Sequence, residues 1–436
     1  MASYTASPAP PADSDKNVVG PGSTNDWRTG SAGQKTFRED ASVSQRYVRR
    51  FTDSTSAADR SSAAAGAAQY GARGQRRWSA WTVVLGLLIA GCSTTDLPQS
   101  ALDPAGPVAA SQDRLWDLVF WIAVGVFVVV QGLILVAVFR YRDRGGDDIP
   151  KQVAGNTRLE LMWTVIPALI LIGIAIPTVR TIFELAHDPG EDALDVRVVG
   201  KQYWWEFEYL GDEGQGVVTA NELHIPTDRA IALDMQALSA TQPDPGIEEN
   251  PEVGQPVSDG VIHSFWVPRL AGKQDVVPGH IRRLTIQADE PGIYPGQCAE
   301  FCGLSHARMR FEVIAHEPAE FEQWLSDQTQ PAAAASGGLA AEGQELFQSQ
   351  QCITCHAIDG YEAAAGSAAE VRIGPNLTHF AGRDKFAGGI FDVDDPEQLA
   401  AWLRDPQQVK PGSQMPNLGL SPEQIDALSA YLYTLE

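Results

Sequence analysis

The apolar residues of this chain fall into three long runs, followed by a region of short alternating segments. The first run, Trp81–Ala90, holds ten apolar or small residues behind Arg73, Arg76 and Arg77. A basic stretch before an apolar run too short to span a bilayer predicts a signal peptide over 73–92. The second run, Leu118–Phe139, has 22 residues broken only by Gln131 and two glycines, and the third is Leu161–Val179. Both are long enough to cross a membrane. Arg140, Arg142, Arg144, Lys151 and Arg158 lie between them. Positive charge in that short loop puts it in the cytoplasm and returns the chain to the outside. A transmembrane hairpin is therefore expected over 115–192, behind a Pro/Ala/Ser linker at 93–114. Residues 1–72 are rich in Ala, Ser, Gly, Pro and charge without apolar periodicity, a composition that predicts disorder.

Beyond residue 193 the pattern changes to short runs rich in Val, Ile and aromatics: Val196–Val199, Tyr203–Tyr209, Glu222–Ile225, Ile231–Leu238, His263–Val267, His280–Ala288 and Met309–Ala315. Turn residues separate them, which predicts a β-sandwich or barrel over 193–326. Residues 295–308 are expected to form a loop. Residues 241–256, with Asp244, Glu248, Glu249 and Glu252, read as an acidic insertion, either a solvated loop or a partner-docking loop. In Tyr203-Trp204-Trp205, alternation buries one of two adjacent indoles, so some aromatic surface should be exposed. A flexible Ala/Gly/Ser linker is expected at 327–338. A third module, 339–436, opens on an amphipathic helix at Ala341–Phe347 and closes on one at Asp426–Leu432.

Charge narrows the partners. The formal net charge is −23 and the pI about 4.7, which excludes nucleic acid as a natural partner. Only five cysteines are present, Cys92, Cys298, Cys302, Cys352 and Cys355, and each has a chemical reading that leaves no disulfide framework. Leu88-Ile89-Ala90-Gly91-Cys92-Ser93 resembles the lipobox of bacterial lipoproteins, which implies lipidation at Cys92. The alternative is a coincidental cysteine after a signal anchor.

The densest chemistry is Cys298-Ala299-Glu300-Phe301-Cys302-Gly303-Leu304-Ser305-His306-Ala307-Arg308-Met309. Two thiolates four residues apart can bridge one pair of metal ions. Thiolate, thioether and imidazole together select copper over hard cations. With His263 upstream, the donor set is that of a dinuclear copper (CuA) centre. A Cys298–Cys302 disulfide and a two-Cys, two-His zinc site are the bland alternatives; neither accounts for Met309. At these residues the chain resembles subunit II of the haem-copper cytochrome c oxidases, matching C-x-E-x-C-G-x-x-H-x-x-M and H-S-F. The resemblance covers about 115–436. It implies a cupredoxin-like Greek key and copper ligation by His263, Cys298, the Glu300 carbonyl, Cys302, His306 and Met309. It also implies that the Glu300 carboxylate reaches magnesium at the subunit I interface. Tyr203 falls in the slot, usually Trp, that receives electrons from cytochrome c, with Trp204 beside it. This departure fits an enzyme with its own attached haem. Glu160-Leu161-Met162-Trp163-Thr164-Val165-Ile166-Pro167 resembles the family's E-x-x-W-T-x-x-P, which implies a role for Glu160 at a proton-pathway mouth; a snorkelling interfacial carboxylate is the alternative. The family's Asp ahead of the histidine is Gly260 here, beside Asp259.

Cys352-Ile353-Thr354-Cys355-His356 is a c-type haem attachment motif, with a redox C-x-x-C or zinc as alternatives. Met415, in Lys410-Pro411-Gly412-Ser413-Gln414-Met415-Pro416-Asn417, resembles the distal ligand of class I cytochromes c. Met/His ligation gives a raised-potential electron carrier, though Met also serves as core filler. Residues 339–436 hold 14 Asp/Glu and 5 Lys/Arg, a net of −9, so the donor should present positive or neutral surface.

The expectation is therefore a multi-domain membrane protein: a two-helix transmembrane hairpin, a cupredoxin-like β-sandwich and an all-α class I cytochrome c domain. The reading is subunit II of a proton-pumping, caa-type oxidase in a bacterial cell membrane, with copper and haem domains on the outer face. Electrons would pass from quinol:cytochrome c reductase or a cytochrome c to haem c, CuA and haem a of subunit I, with subunit III and membrane lipid as further partners. A CuA-containing nitric oxide reductase subunit is the alternative. A copper-binding lipoprotein is a third reading, one that leaves the haem motif and second span unexplained.

Overall fold

The computed structural model describes residues 97–142, 152–210, 216–239, 260–335, 337–358 and 373–436. The expected disordered segment 1–72, signal peptide 73–92, Cys92 and acidic insertion 241–256 lie outside the described residues.

Among the described residues two long helices come first: α1 (Pro107–Arg140) and α2 (Thr157–Leu185). Their side chains are apolar and mostly exposed on all sides, including Phe127, Leu133, Phe139, Leu161, Trp163 and Leu171. Such helices are suited to a bilayer or to neighbouring spans, not to a soluble core. Both exceed the apolar runs that predict them. At 34 residues α1 is about 51 Å long, against about 30 Å of hydrocarbon. The excess lies at the N-terminal end, where Ala109 and Ser111 are buried and Val108 packs on the β core. A strap before α1 follows the same domain. Ala105 donates to the Arg269 carbonyl at 2.8 Å and accepts from Asp289 at 2.9 Å, and Asp103 pairs with Arg269 at 2.9 Å.

Among its described residues the β domain has two five-stranded sheets. One runs β3 (Val218–Ala220), β2 (Trp204–Tyr209), β1 (Leu194–Lys201), β5 (Ile231–Ala237), β8 (Arg282–Ile286). The other runs β4 (Glu222–Pro226), β10 (Arg310–His316), β9 (Gly292–Cys298), β6 (His263–Trp266), β7 (Gln274–Val276). β1 with β5 and β4 with β10 are parallel; the remaining pairs are antiparallel. The sheets share one core centred on Phe265 and Phe311, stacked at 4.5 Å, with Trp205 edge-on to both. Helix α3 (Pro318–Gln328) closes the domain through Phe321 and Leu325.

The expected 295–308 loop is shorter than its turn residues suggest, because β9 continues to Cys298. Pro295 interrupts nothing on the β6 side: β6 pairs with β9 only at Cys298 and Gln297, and a proline beyond the last pair removes no ladder bond.

The last module has its own core. Helices α4 (Gly338–Ser349) and α7 (Pro422–Leu432) pack through Phe347 and Tyr431, with α5 (Pro396–Arg404) and α6 (Pro406–Val409) alongside. Ser421 caps α7 in a capping box with Gln424. Among the described residues the module's regular structure is helical apart from a two-residue ladder, β11 (Lys385–Phe386) with β12 (Phe391–Asp392).

Candidate functional site

His263 opens β6 and Cys298 ends β9, and these strands pair with Phe265 opposite Cys298. The ladder therefore brings residues 35 apart in sequence to one end of the sandwich. The loop beyond Cys298 supplies Glu300, Cys302 and, in a short 3-10 turn, His306. Met309 closes it just before β10. The Cys298 and Cys302 sulfurs are 3.9 Å apart. Cys298 Sγ is 3.8 Å from His263 Nδ1 and 3.3 Å from the Glu300 carbonyl oxygen. Cys302 Sγ is 3.7 Å from His306 Nδ1 and 3.8 Å from Met309 Sδ. One imidazole and one weaker donor thus flank each sulfur. His263, Cys298 and Cys302 offer ligand atoms all within 4.8 Å of one another.

The protonation of the thiols is coupled. The contact with Cys302 holds Cys298 down at about 3 against the effect of burial. The same contact, with burial, pushes Cys302 up. The pair shares one proton, and a cation would replace it. At about 2.3 Å per metal–thiolate bond, sulfurs closer than about 4.6 Å can share an ion, one on either side. The donor set and its spacing fit a dinuclear copper centre.

Behind the copper loop, Trp205 is fully buried in the core. Tyr203 and Trp204 are also buried, at 6% and 7% exposure, which corrects the expectation of exposed aromatic surface. The helical module covers them: both line the cavity that also holds Cys352, Cys355, His356 and Met415. On the copper side, the Tyr203 hydroxyl accepts the Leu304 N–H at 3.0 Å, and the Gln202 amide donates to the Cys302 carbonyl at 2.6 Å.

That cavity has a volume of about 220 Å³. Cys352 and Cys355 stand on its wall as free thiols. His356 Nδ1 donates to the Pro375 carbonyl at 2.8 Å, leaving Nε2 for a metal, and burial lowers its pKa, favouring the neutral ligand form. Met415 and His356 share the cavity wall, with Leu399, Leu403 and Leu428 supplying apolar lining. These residues fit a covalently held haem.

Glu160 belongs to neither site and stands in the first turn of α2. Its Oε1 accepts the Asn156 N–H at 3.3 Å, while Asn156 caps the Arg158 and Leu159 amides. Glu300 is half-buried on the metal loop.

Sequence reasoning missed the residues joining the two sites: Gln202, Ser305, Arg308, Gly388 and Lys410. Lys410 lies in the Met415 loop, but nothing in the linear pattern shows that its ammonium turns toward another domain.

Fold and sites together define a membrane-anchored protein with two places suited to redox cofactors. Family models match three consecutive regions: the cytochrome c oxidase subunit II transmembrane domain at 97–181, its periplasmic domain at 194–316 and cytochrome c at 340–436. Cytochrome c oxidase subunit 2 of Alkalihalophilus pseudofirmus is 36% identical over 81% of this chain and 95% of its own length. The Bacillus subtilis protein of that name is 37% identical over 80% and 95%. A solved periplasmic domain of subunit II from Bradyrhizobium japonicum aligns at 24% identity, TM-score 0.26, covering 32% of this chain and 96% of that one. The chain belongs to the cytochrome c oxidase subunit II family and carries a fused cytochrome c domain. Its domains imply a CuA centre and haem c, a periplasmic location for the domains beyond the membrane helices, and association with subunit I in a haem-copper oxidase.

Proposed function

We propose that this chain is the electron-entry subunit of a proton-pumping, caa-type oxidase. It would relay electrons from an external donor by way of haem c and CuA to haem a of subunit I, where O2 is reduced to water. The donor would be quinol:cytochrome c reductase or a cytochrome c. Bound copper and haem c each supply reversible one-electron chemistry; the residues hold, orient and insulate them. His263, Cys298, the Glu300 carbonyl, Cys302, His306 and Met309 are the proposed copper ligands. Cys352 and Cys355 would make the haem thioethers, with His356 and Met415 as the residues that would hold the iron. The Glu300 carboxylate would reach magnesium at the subunit I interface, Glu160 would stand at the mouth of a proton pathway, and lipid at Cys92 would add an anchor.

One observation carries this reading: Tyr203 belongs to both sites. It lines the haem cavity, where its carbonyl accepts from Lys410, and its hydroxyl holds the amide two residues beyond Cys302. The haem module thus occupies the aromatic face on which an external cytochrome would dock. Optical and EPR spectra of the purified chain test the proposal. A mixed-valence two-copper signal with a haem c band is expected; a mononuclear copper spectrum, or no haem after expression with maturation machinery, overturns it.

A further inference from the structure

Lys410 is 3% exposed. A buried ammonium is unfavourable unless its donors are satisfied, and here the acceptors are two backbone carbonyls from different domains. Nζ donates to the Tyr203 carbonyl of the β domain at 2.5 Å and to the Ala387 carbonyl of its own module at 2.8 Å. Gly388 makes room for it. Its φ of +79° suits glycine, and a Cβ there would lie 2.1 Å from Nζ and 2.9 Å from the Tyr203 oxygen. The residues on either side of Lys410 are stitched to the copper loop as well. Arg308 donates to the Val409 carbonyl, and Ser305 Oγ donates to the Pro411 carbonyl at 2.7 Å. Ser305 and Arg308 flank His306, while Lys410 stands five residues before Met415 and lines the haem cavity. Two further ties, Arg310 N–H to the Gly388 carbonyl at 2.9 Å and Lys385 N–H to Glu222 Oε1 at 2.7 Å, hold the same face.

We propose that Lys410 is a positioning residue that fixes the fused cytochrome module on the copper loop in an electron-transferring pose, by tying the Tyr203 carbonyl to the Ala387 carbonyl. This rests on the relay proposed above. Through the covalent frame of Tyr203 the tie continues to the Leu304 amide, so two hydrogen bonds on one residue link the haem cavity to the segment holding Cys302 and His306. A hydrophobic side chain at 410 would fill space but leave both carbonyls without this donor.

The test is the assembled oxidase with Lys410→Met, which keeps side-chain length and removes the donors. Leaving two carbonyls at this interface without their donor shifts a docked–undocked equilibrium by roughly ten- to a hundredfold. Re-oxidation of flash-reduced haem c by CuA should therefore slow, by up to that factor. Both spectra, the haem c potential and the KM for a reduced soluble cytochrome should stay as in the wild type while kcat falls. Gly388→Val, which blocks the ammonium from a different position, should slow the same step, and the double variant should be no slower than the worse single one. A Lys410→Met oxidase with both spectra intact and wild-type transfer overturns the proposal alone. Loss of the haem band in Lys410→Met also overturns it, since the lysine would then serve haem retention. A wild-type enzyme lacking the two-copper signal or the haem band overturns the relay, and this inference with it.

Discussion

Gly303, between Cys302 and Leu304, adopts φ +128°, a region that side chains other than glycine's avoid. A Cβ there would lie 2.4 Å from the Tyr203 hydroxyl oxygen and 3.1 Å from Gln202 Nε2. Gly303→Ala therefore carries two separable penalties: backbone strain of about 1–3 kcal/mol and a steric clash of about 1–3 kcal/mol. Tyr203→Phe alone removes one neutral hydrogen bond, worth about 0.5–1.5 kcal/mol. Its cost should fall at the low end, because Leu304 is 81% exposed and water can take the freed amide. The phenylalanine also removes the atom nearest the new Cβ. The double variant should therefore be more stable than the sum of the single effects by about 1–2 kcal/mol. Denaturant midpoints of the purified chain, followed by tryptophan fluorescence, measure this, with the copper absorption band reporting the site itself. Additivity within about 0.5 kcal/mol would refute the close packing of Tyr203 on the copper loop.

Phe311→Ala should cost about 3–5 kcal/mol, because the ring is 1% exposed and packs on Phe265 and Trp205; calorimetry should show the copper domain melting earlier. Cys302→Ser should abolish the two-copper EPR signal and leave the haem c band, since Cys302 Sγ neighbours three other proposed ligands and none of the haem ones. His316 should make stability pH-dependent. Burial first, then the neighbouring His224 ring, holds its pKa below the usual value, and its Nε2 lies 2.8 Å from His224 Nδ1. The unfolded chain therefore takes up that proton first. The contribution is present above about pH 6.5 and is lost as pH falls below it. Denaturant titrations between pH 7.5 and 5.5 should show this slope, and His316→Gln should flatten it.

The metal site was legible because its chemistry is local. Soft donors within twelve residues declare themselves whatever the fold, and C-x-x-C-H does the same for haem. The membrane helices were legible as apolar runs, but not the first turns of α1, which are helical because they dock on the β domain. β3 and β7 are three residues each, too short for an alternating pattern to register, and hold their conformation through their neighbours in the sheets. Lys410 was invisible for the same physical reason: a lysine in a Pro/Gly loop ordinarily points to water, and only the approach of Tyr203 turns it inward.

The buried aromatics show most clearly what composition leaves out. Alternation assigns Trp205 to the core, and it is there. It assigns Trp204 to the opposite side, which on a free domain would be solvent, and Tyr203 stands just outside β2. Here that side meets the chain's own haem module, with Lys201 Nζ 4.8 Å over the Trp204 ring and Lys410 on the Tyr203 carbonyl. On the proposed relay, an external donor cannot reach the copper loop across this face without displacing the module. The surface that selects the donor therefore moves to residues 339–436, whose net charge is −9. A basic donor should bind it faster at low ionic strength, and the rate should fall as salt screens the attraction. Salt-independent electron entry from a basic cytochrome would show that electrons enter elsewhere.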